Sequence, residues 1–281
     1  MKTPNKGLRL NSFDIIIKKV YIQYIKFRLM FLAVHEVKML YFIYYGSMII
    51  LIPGIVFSIV AQILIMVRYS KYSKIQAKCG ITASEMSKKL LQSYNCYGVS
   101  VNPVSGKLTD NYNPKTDILS LSEGVFDSSS IAALGVAAHE CGHACQKYSE
   151  SFLLKLRSIL VPITNIGTRL AVPLAVIGVI LELIISESGT NAGTVIIAIA
   201  CVLYSLSTIF ALVTLPVEFN ASHRALKMLK EQNFLDRKEL VGARRVLSAA
   251  AMTYIAALLM SLLYLLRFLV ILAGVRGKRK K

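Results

Sequence analysis

The sequence predicts a mainly α-helical, polytopic membrane protein with about four spans and a small α+β region outside the bilayer. First, 55% of the 281 residues are hydrophobic and the mean hydropathy is +0.57, whereas a soluble domain is about 45–50% apolar. Second, the apolar residues fall in four blocks, each long enough to cross a hydrocarbon core of about 30 Å. Third, the polar stretch after the first block contains both helical and strand-like patterns.

The apolar blocks divide the chain into alternating membrane and polar parts. The first span is predicted at 39–67, with Tyr44 and Tyr45 near one end, as in an interfacial aromatic belt. The parts that follow are the α+β region at 68–157, two spans within 158–217, a polar segment at 218–248, the last span at 249–275 and a basic tail at 276–281.

Residues 1–38 form a basic extension in which no uncharged run is long enough to span a bilayer. Lys and Arg are interspersed with apolar residues in FDIIIKKVYIQYIKFRLMF, which fits two interpretations. In the favoured one, translation starts at Met39 and the extension is not part of the native protein. In the other, the extension is a basic helix on the membrane surface, and the chain is a lipid-binding protein.

Membrane topology explains the formal net charge of +18 better than nucleic-acid binding does. No RNA- or DNA-binding motif appears, so no nucleic-acid partner is expected. Lys and Arg are frequent in 68–157 and 218–248, which lie on one side of a four-span chain, and absent from 182–193. The positive-inside rule therefore predicts a multi-pass protein of the cell membrane with these regions in the cytoplasm, although the basic tail argues against this orientation. Five cysteines without a CxxC pair are expected to be free thiols in a reducing compartment.

The α+β region is predicted to contain two helices and a strand segment. TASEMSKKLLQSYNCYG is typical of a short amphipathic helix capped by Thr82 or Ser84, and strand formers follow. The second helix is predicted from about Ser130 to Lys147. Residues 116–121 are a candidate edge strand for pairing with an extended peptide; the alternative is a strand that only packs on the helix.

The second helix carries AAHECGHACQ, the stretch with the most specific chemistry. His139 and His143 are at i and i+4, so they share one helix face and can hold one zinc ion at about 2.0–2.1 Å. Glu140 lies beside them and is a candidate general base for a zinc-activated water. The HExxH pattern is typical of metallopeptidases, and the alternative is a pair of histidines bonded to neighbouring groups.

Catalytic zinc needs a third protein ligand, and no suitable residue follows His143 closely. In TLPVEFNASHRALKML, Glu218 is predicted to start a new helix just beyond the third span. Glu218 is preferred to His223, which is turned from it by about 140° around a helix. The alternative role of Glu218 is to stabilise a helix N-terminus. Asn220 and His223 are candidates for orienting a histidine ligand without binding the metal.

Three stretches together resemble the YugP-type neutral zinc metallopeptidases of bacterial membranes: VAAHECGHACQ, GKLTDNYNPKTDILSLSEGVF and TLPVEFNASHRALKML. The resemblance runs from about Met39 to the last span. It implies a zincin-like polar region, Zn²⁺ as cofactor, His139, His143 and Glu218 as ligands, and Glu140 as the base. It implies peptidase activity without naming a substrate.

The leading hypothesis is a membrane-integral zinc endopeptidase that acts on peptides or membrane proteins at the cytoplasmic surface of the lipid bilayer. An intramembrane protease of the site-2 type is one alternative, but the apolar run before His139 is too short to span. A zinc-binding scaffold without turnover is another, but it would need no base, and structural zinc favours four ligands. The sequence predicts neither the substrate nor the oligomeric state.

Overall fold

A computed structural model describes residues 44–185 and 191–278, together with residues 19, 21–28, 30, 34 and 38. Met39, most of the basic extension, residues 186–190 and the end of the basic tail lie outside the described residues. In chain order, a 3-10 turn at Ser47–Leu51 is followed by α1 (Ile52–Tyr72), α2 (Ala83–Ser93), β1 (Ser100–Val104), β2 (Asn111–Asn113), β3 (Ile118–Ser122), α3 (Glu123–Phe126), α4 (Ile131–Tyr148), α5 (Phe152–Ile185), α6 (Ala192–Glu231) and α7 (Arg237–Lys278).

Four helices of the described chain are long and apolar enough to cross a membrane, which confirms the predicted polytopic architecture. α6 packs between α5 and α7, and α1 packs against α7, so the long helices form a row. Large apolar side chains such as Ile166, Leu212 and Leu269 stay exposed on these helices. Lipid is the solvent that matches such surfaces. The candidate spans are Tyr44–Tyr72, Phe152–Glu182, Ala192–Glu231 and Arg237–Arg276.

α6 and α7 are longer than a bilayer is thick. Their 40 and 42 residues reach about 60 Å at 1.5 Å per residue, twice the hydrocarbon core. The last part of α6 and the first part of α7 therefore continue into the polar region, where α4 packs on both helices. Asp236 and Glu239 fix the turn between them, because each side chain accepts the other's backbone N–H at 2.8 Å.

The sheet has the order β1-β3-β2, with β1 parallel and β2 antiparallel to the central strand. Leu119 and Leu121 of β3 are fully buried in the core that also contains residues of α2 and α4. Because β3 is paired on both sides, the prediction that 116–121 offers an edge to a peptide is wrong. The outer strands are β1 and β2, and the period-two pattern of the sequence did not indicate which strand would lie between the others.

Capping residues set the start of α2 and of α4. Thr82 forms a capping box with Glu85, in which each side chain accepts the other residue's backbone N–H. Ser130 Oγ accepts the Ala133 N–H at 3.2 Å, so α4 starts one residue later, close to the predicted position. Nearly all of α4 is buried, which places the HExxH motif inside the molecule.

Gly142 allows α4 to approach α6 closely. A Cβ atom at this position would lie 2.6 Å from the carbonyl oxygen of Ala221. Gly142→Ala is therefore expected to force the helices apart and to destabilise the fold by about 1–3 kcal/mol. The measurement is the unfolding temperature in detergent, together with the amount of bound metal.

Gly124→Ala is the matched control, because a Cβ atom there meets only the Tyr69 hydroxyl at 3.8 Å. It is expected to leave the unfolding temperature unchanged. An unfolding temperature of Gly142→Ala equal to that of the control would show that the α4–α6 contact tolerates a methyl group.

Candidate metal centre

Two histidines of α4 and a glutamate of α6 meet where these helices pack together. His139 Nε2 lies 3.2 Å and His143 Nε2 lies 3.5 Å from Oε2 of Glu218. The two imidazole rings are nearly perpendicular, with 4.8 Å between their centroids. One potential ligand atom from each of the three residues lies within 4.8 Å of the others. The structure thus brings together the three residues that the sequence analysis selected as metal ligands.

The separations of these atoms fit a zinc ion. In a tetrahedral site with bonds of about 2.0–2.1 Å, the ligand atoms are about 3.3–3.4 Å apart. The distances of 3.2 and 3.5 Å lie on either side of that value. Two imidazoles and one carboxylate also form a known donor set of catalytic zinc, which leaves one coordination position open.

The prediction that Glu218 starts a new helix is wrong. α6 runs without interruption from Ala192 to Glu231, and Glu218 lies in its interior. The apolar block ends at Val217, but the helix continues beyond it and contains Pro216, which is tolerated inside spanning helices. Glu218 is only 1% exposed and lies far from a helix N-terminus. The role of stabilising such a terminus is therefore excluded.

Each histidine is oriented by a hydrogen bond at Nδ1. The Nδ1 atom of His139 lies 3.1 Å from Ser222 Oγ, and that of His143 lies 2.9 Å from Oε1 of Gln146. When each Nδ1 carries the proton and donates it, each Nε2 has a free lone pair directed toward Glu218. This is the tautomer that a metal requires from both histidines.

The sequence analysis missed Gln146, which connects the histidine to α6. Its Nε2 donates to the carbonyl oxygen of Val217 at 2.8 Å and to Oδ1 of Asn220 at 3.0 Å. Asn220 is therefore connected to His143 through Gln146 and has no hydrogen bond to the imidazole itself. Gln146 follows His143 by three residues on a helix, and that i, i+3 spacing was the available signal.

His223 is placed away from the metal group. It lines a separate cavity of about 290 Å³ together with Arg224 and Lys227. The group of potential ligands in the described chain consists of His139, His143 and Glu218 and does not include it. The turn of about 140° between positions 218 and 223 on one helix accounts for this placement.

Gln146→Ala is expected to lower zinc affinity by about 10–100-fold, because it removes the acceptor that fixes the His143 tautomer. The measurement is competition with a chromophoric zinc chelator. Gln92→Ala is the control, since Gln92 is an exposed residue of α2. Zinc affinity unchanged by Gln146→Ala would show that the packing of α4 alone orients His143.

Arg157, near the start of α5, is a second residue that the sequence analysis missed. Its Nη1 atom lies 2.7 Å from Oε1 of Glu218. The two groups form an ion pair, although their orientation does not satisfy a hydrogen bond. The contact offsets the charge of a buried carboxylate. It also leaves Oε2 as the oxygen that faces the histidines.

The carboxylates around His143 favour a positive charge at this position. Burial acts to lower the pKa of His143, but the adjacent Glu218 and the nearby Glu140 outweigh it. The pKa therefore lies above its ordinary value of 6.5. The same field favours a bound cation.

Glu140 faces a cavity of about 430 Å³ that also reaches His143 and Glu218. Glu140 is 8% exposed. Arg157 of α5 and Tyr254 of α7 line the same cavity. A carboxylate, two of the potential metal ligands and an open space are therefore adjacent.

The outer strand β2 is held beside this cavity by a polar network. Tyr112 donates a hydrogen bond to Oδ1 of Asp117 at 2.5 Å, and Lys147 of α4 lies 2.6 Å from Oδ2. Burial acts to raise the pKa of Asp117, but the hydrogen bonds from Lys147 and Tyr112 outweigh it, so this pKa lies below its ordinary value of 3.8. The ionised carboxylate thus ties β2 to the last turn of the HExxH helix.

Two histidines of an HExxH helix and a glutamate of a candidate spanning helix form a group that is typical of membrane zinc proteins of the peptidase type. The chain belongs to the family described as "Putative neutral zinc metallopeptidase", whose profile matches residues 47–273. It is 39% identical over 219 residues to "Putative membrane protease YugP" of Bacillus subtilis (strain 168), which covers 78% of this chain and 92% of that protein. No solved structure matches the chain. The family confirms the resemblance found in the sequence, and Zn²⁺ is the ion that this group is positioned to bind.

Proposed function

We propose that the chain is a membrane-integral, zinc-dependent endopeptidase with Glu140 as its general base. The observation that carries the proposal is that Glu140 and two of the potential ligands, His143 and Glu218, line one cavity. A structural zinc site favours four protein ligands and has no use for an adjacent base. Three ligands beside a carboxylate and an open space support hydrolysis instead.

Each polar residue of the site has a defined part in this reaction. His139, His143 and Glu218 would hold the zinc ion. Bound zinc supplies a Lewis acid that polarises a peptide carbonyl and lowers the pKa of water toward about 7. Glu140 accepts a proton from the attacking water and delivers it to the nitrogen of the leaving amine.

β2 takes the role of the substrate-binding strand that the sequence analysis assigned to 116–121. Asn111, Tyr112 and Asn113 line the cavity, and β2 is an outer strand of the sheet. An extended peptide adds to such an edge through main-chain hydrogen bonds. The proposed substrate is therefore a peptide or a membrane-protein segment that is extended at the scissile bond.

The proposed location is the cell membrane, with the active site on the cytoplasmic side. This orientation is supported by the Lys and Arg residues of 68–157 and 218–248. In the proposed organisation, 68–157 is the catalytic α+β region and 218–248 supplies the third ligand. Both regions adjoin one end of the row of long helices.

Two observations disfavour the alternative functions. α4 is not among the candidate spanning helices of the described chain, whereas a site-2 type protease needs HExxH in a span. Glu140 has no purpose in a zinc scaffold without turnover. The lipid-binding alternative depends on residues 1–38, most of which lie outside the described residues.

Metal removal tests the proposal directly. The protein purified in detergent is expected to contain about one zinc per chain by elemental analysis and to cleave a fluorescent peptide library. Treatment with 1,10-phenanthroline should abolish cleavage, and one equivalent of Zn²⁺ should restore it. Mg²⁺ is the control ion and should not restore cleavage, because it prefers octahedral oxygen ligands. Cleavage that survives complete removal of zinc would contradict the proposal.

A further inference from the structure

The cavity at the metal centre continues along one face of α5. The lining side chains of this helix recur at intervals of three or four residues, as one helix face requires. The face is about 16 Å long at 1.5 Å per residue. Its members are Leu154, Arg157, Ser158, Val161, Pro162 and Asn165.

This face reaches into the membrane-spanning part of the helix. The candidate span covers Phe152–Glu182. Ile159, Ile163 and Ile166 are exposed on other faces of the same turns, as expected for contact with lipid. Asn165 lies about 9 Å further along the helix than Ile159. The cavity therefore runs along a candidate spanning helix, beside apolar side chains that suit contact with lipid.

Asn165 is a polar residue inside this candidate span. Polar side chains in a span are costly unless they serve a partner or a pathway. The Asn165 side chain is exposed, lines the cavity and has no hydrogen-bond partner among the described residues. Its side-chain amide offers two N–H donors and one carbonyl oxygen as acceptor. Such a group matches an unpaired peptide unit, which cannot find water in the hydrocarbon.

The opposite wall of the cavity also comes from a spanning helix. Tyr254 belongs to α7, within the candidate span Arg237–Arg276. α6 lies between α5 and α7 and contributes Glu218 to the cavity. A groove with walls from α5 and α7 thus leads from Asn165 to the potential metal ligand Glu218.

We infer that the substrate is a membrane-anchored polypeptide, cut in the segment that leaves the bilayer, and that Asn165 binds the backbone of this segment where it unwinds. The inference rests on the proposed peptidase function and names the substrate class of that site. Leu154, Val161 and Pro162 cover the apolar side chains of the bound segment. Arg157 contacts Glu218 and therefore lies at the level of the potential metal ligands. Along α5, Arg157 is eight residues, or about 12 Å, from Asn165. An extended chain rises about 3.3 Å per residue, so the scissile bond lies about four residues from the unit held by Asn165.

A peptide library in two formats tests the inference on the full chain in lipid nanodiscs. One format is a soluble fluorescent degenerate peptide, and the other is the same peptide fused to a leucine–alanine span of about 20 residues. The wild type is expected to cleave the anchored format at least about tenfold faster, with cuts about four residues outside the span. A spacer of twenty residues before the degenerate segment should remove the preference.

Asn165→Leu is expected to reduce the preference for the anchored format about tenfold. Thr168→Val is the matched control and should keep the preference, because the Thr168 hydroxyl bonds to the backbone of its own helix at Thr164. Equal cleavage of both formats by the wild type, or an undiminished preference in Asn165→Leu, overturns the inference.

Photo-crosslinking separates this inference from the proposed function. A benzophenone residue replaces Asn165 or, as the control, the lipid-facing Ile166, in a chain that also carries Glu140→Gln. The anchored peptide is expected to crosslink at position 165 and not at 166. Crosslinking without hydrolysis by the wild type would support the docking site and remove the peptidase function. Hydrolysis of the soluble peptide without crosslinking at 165 would support the peptidase function and remove the docking site.

Discussion

Glu140→Gln is expected to lower the rate of peptide hydrolysis by about 1,000-fold while the protein keeps its zinc. General base catalysis contributes about 10²–10⁴-fold, and an amide of the same size cannot accept the proton. Glu140 is not a member of the metal-binding group, so the zinc content should stay at about one per chain. The measurements are kcat on a fluorescent peptide and elemental analysis of the same sample.

The exposed Glu123 of α3 provides the matched control. Glu123→Gln removes the same charge from the protein and is expected to retain both activity and zinc. A Glu140→Gln protein with full activity would exclude Glu140 as the base. One with no zinc would mean that Glu140 supports the metal site as well.

Glu218→Ala is expected to lower zinc affinity by more than 100-fold. Four-ligand zinc sites have binding free energies of about 10–16 kcal/mol, or roughly 3 kcal/mol per ligand, and each 1.4 kcal/mol changes affinity tenfold. Removal of the carboxylate also leaves Arg157 as a cation beside the site, which opposes a second positive charge. Zinc retained after dialysis against a chelator of known affinity measures the loss.

His143→Ala should behave like Glu218→Ala, whereas His223→Ala should bind zinc as the wild type does. His223 is a good control because it lies on the same helix as Glu218 and carries the other side chain that was considered as the third ligand. A loss of zinc in His223→Ala together with retention in Glu218→Ala would reverse the assignment of the third ligand.

The parts of the site that depend on local spacing were predictable from the sequence. An i, i+4 pair of histidines shares a helix face in any surroundings, so His139 and His143 needed no tertiary information. The four spans were equally predictable, because their hydropathy is a property of each segment alone. Helix caps act on the first turn of their own helix, so the sequence indicated a cap at Thr82 or Ser84 and another at Asp127 or one of the serines that follow it.

The other features of the fold and of the candidate site depend on which surfaces of the molecule pack together. The end of the apolar block at Val217 predicted a new helix at Glu218, and only the packing of α6 among its neighbours explains why the helix continues and buries Glu218. Gln146 and Arg157 act across helix interfaces, and nothing in their local sequence indicated this role. The order of three short strands is likewise a tertiary property, which is why the central strand was taken for an edge.

The position of Glu218 also determines when the group of potential metal ligands is complete during synthesis. Glu218 follows His139 by 79 residues, and the whole of α5 and much of α6 separate them. Nascent chains that end before Glu218 lack the metal centre, however well their α+β region has folded. The centre is completed only when α6 has returned across the membrane to α4. Correct insertion of the α5–α6 hairpin is therefore a precondition for assembling this group of three residues, and a fragment cut free of its spans cannot retain it.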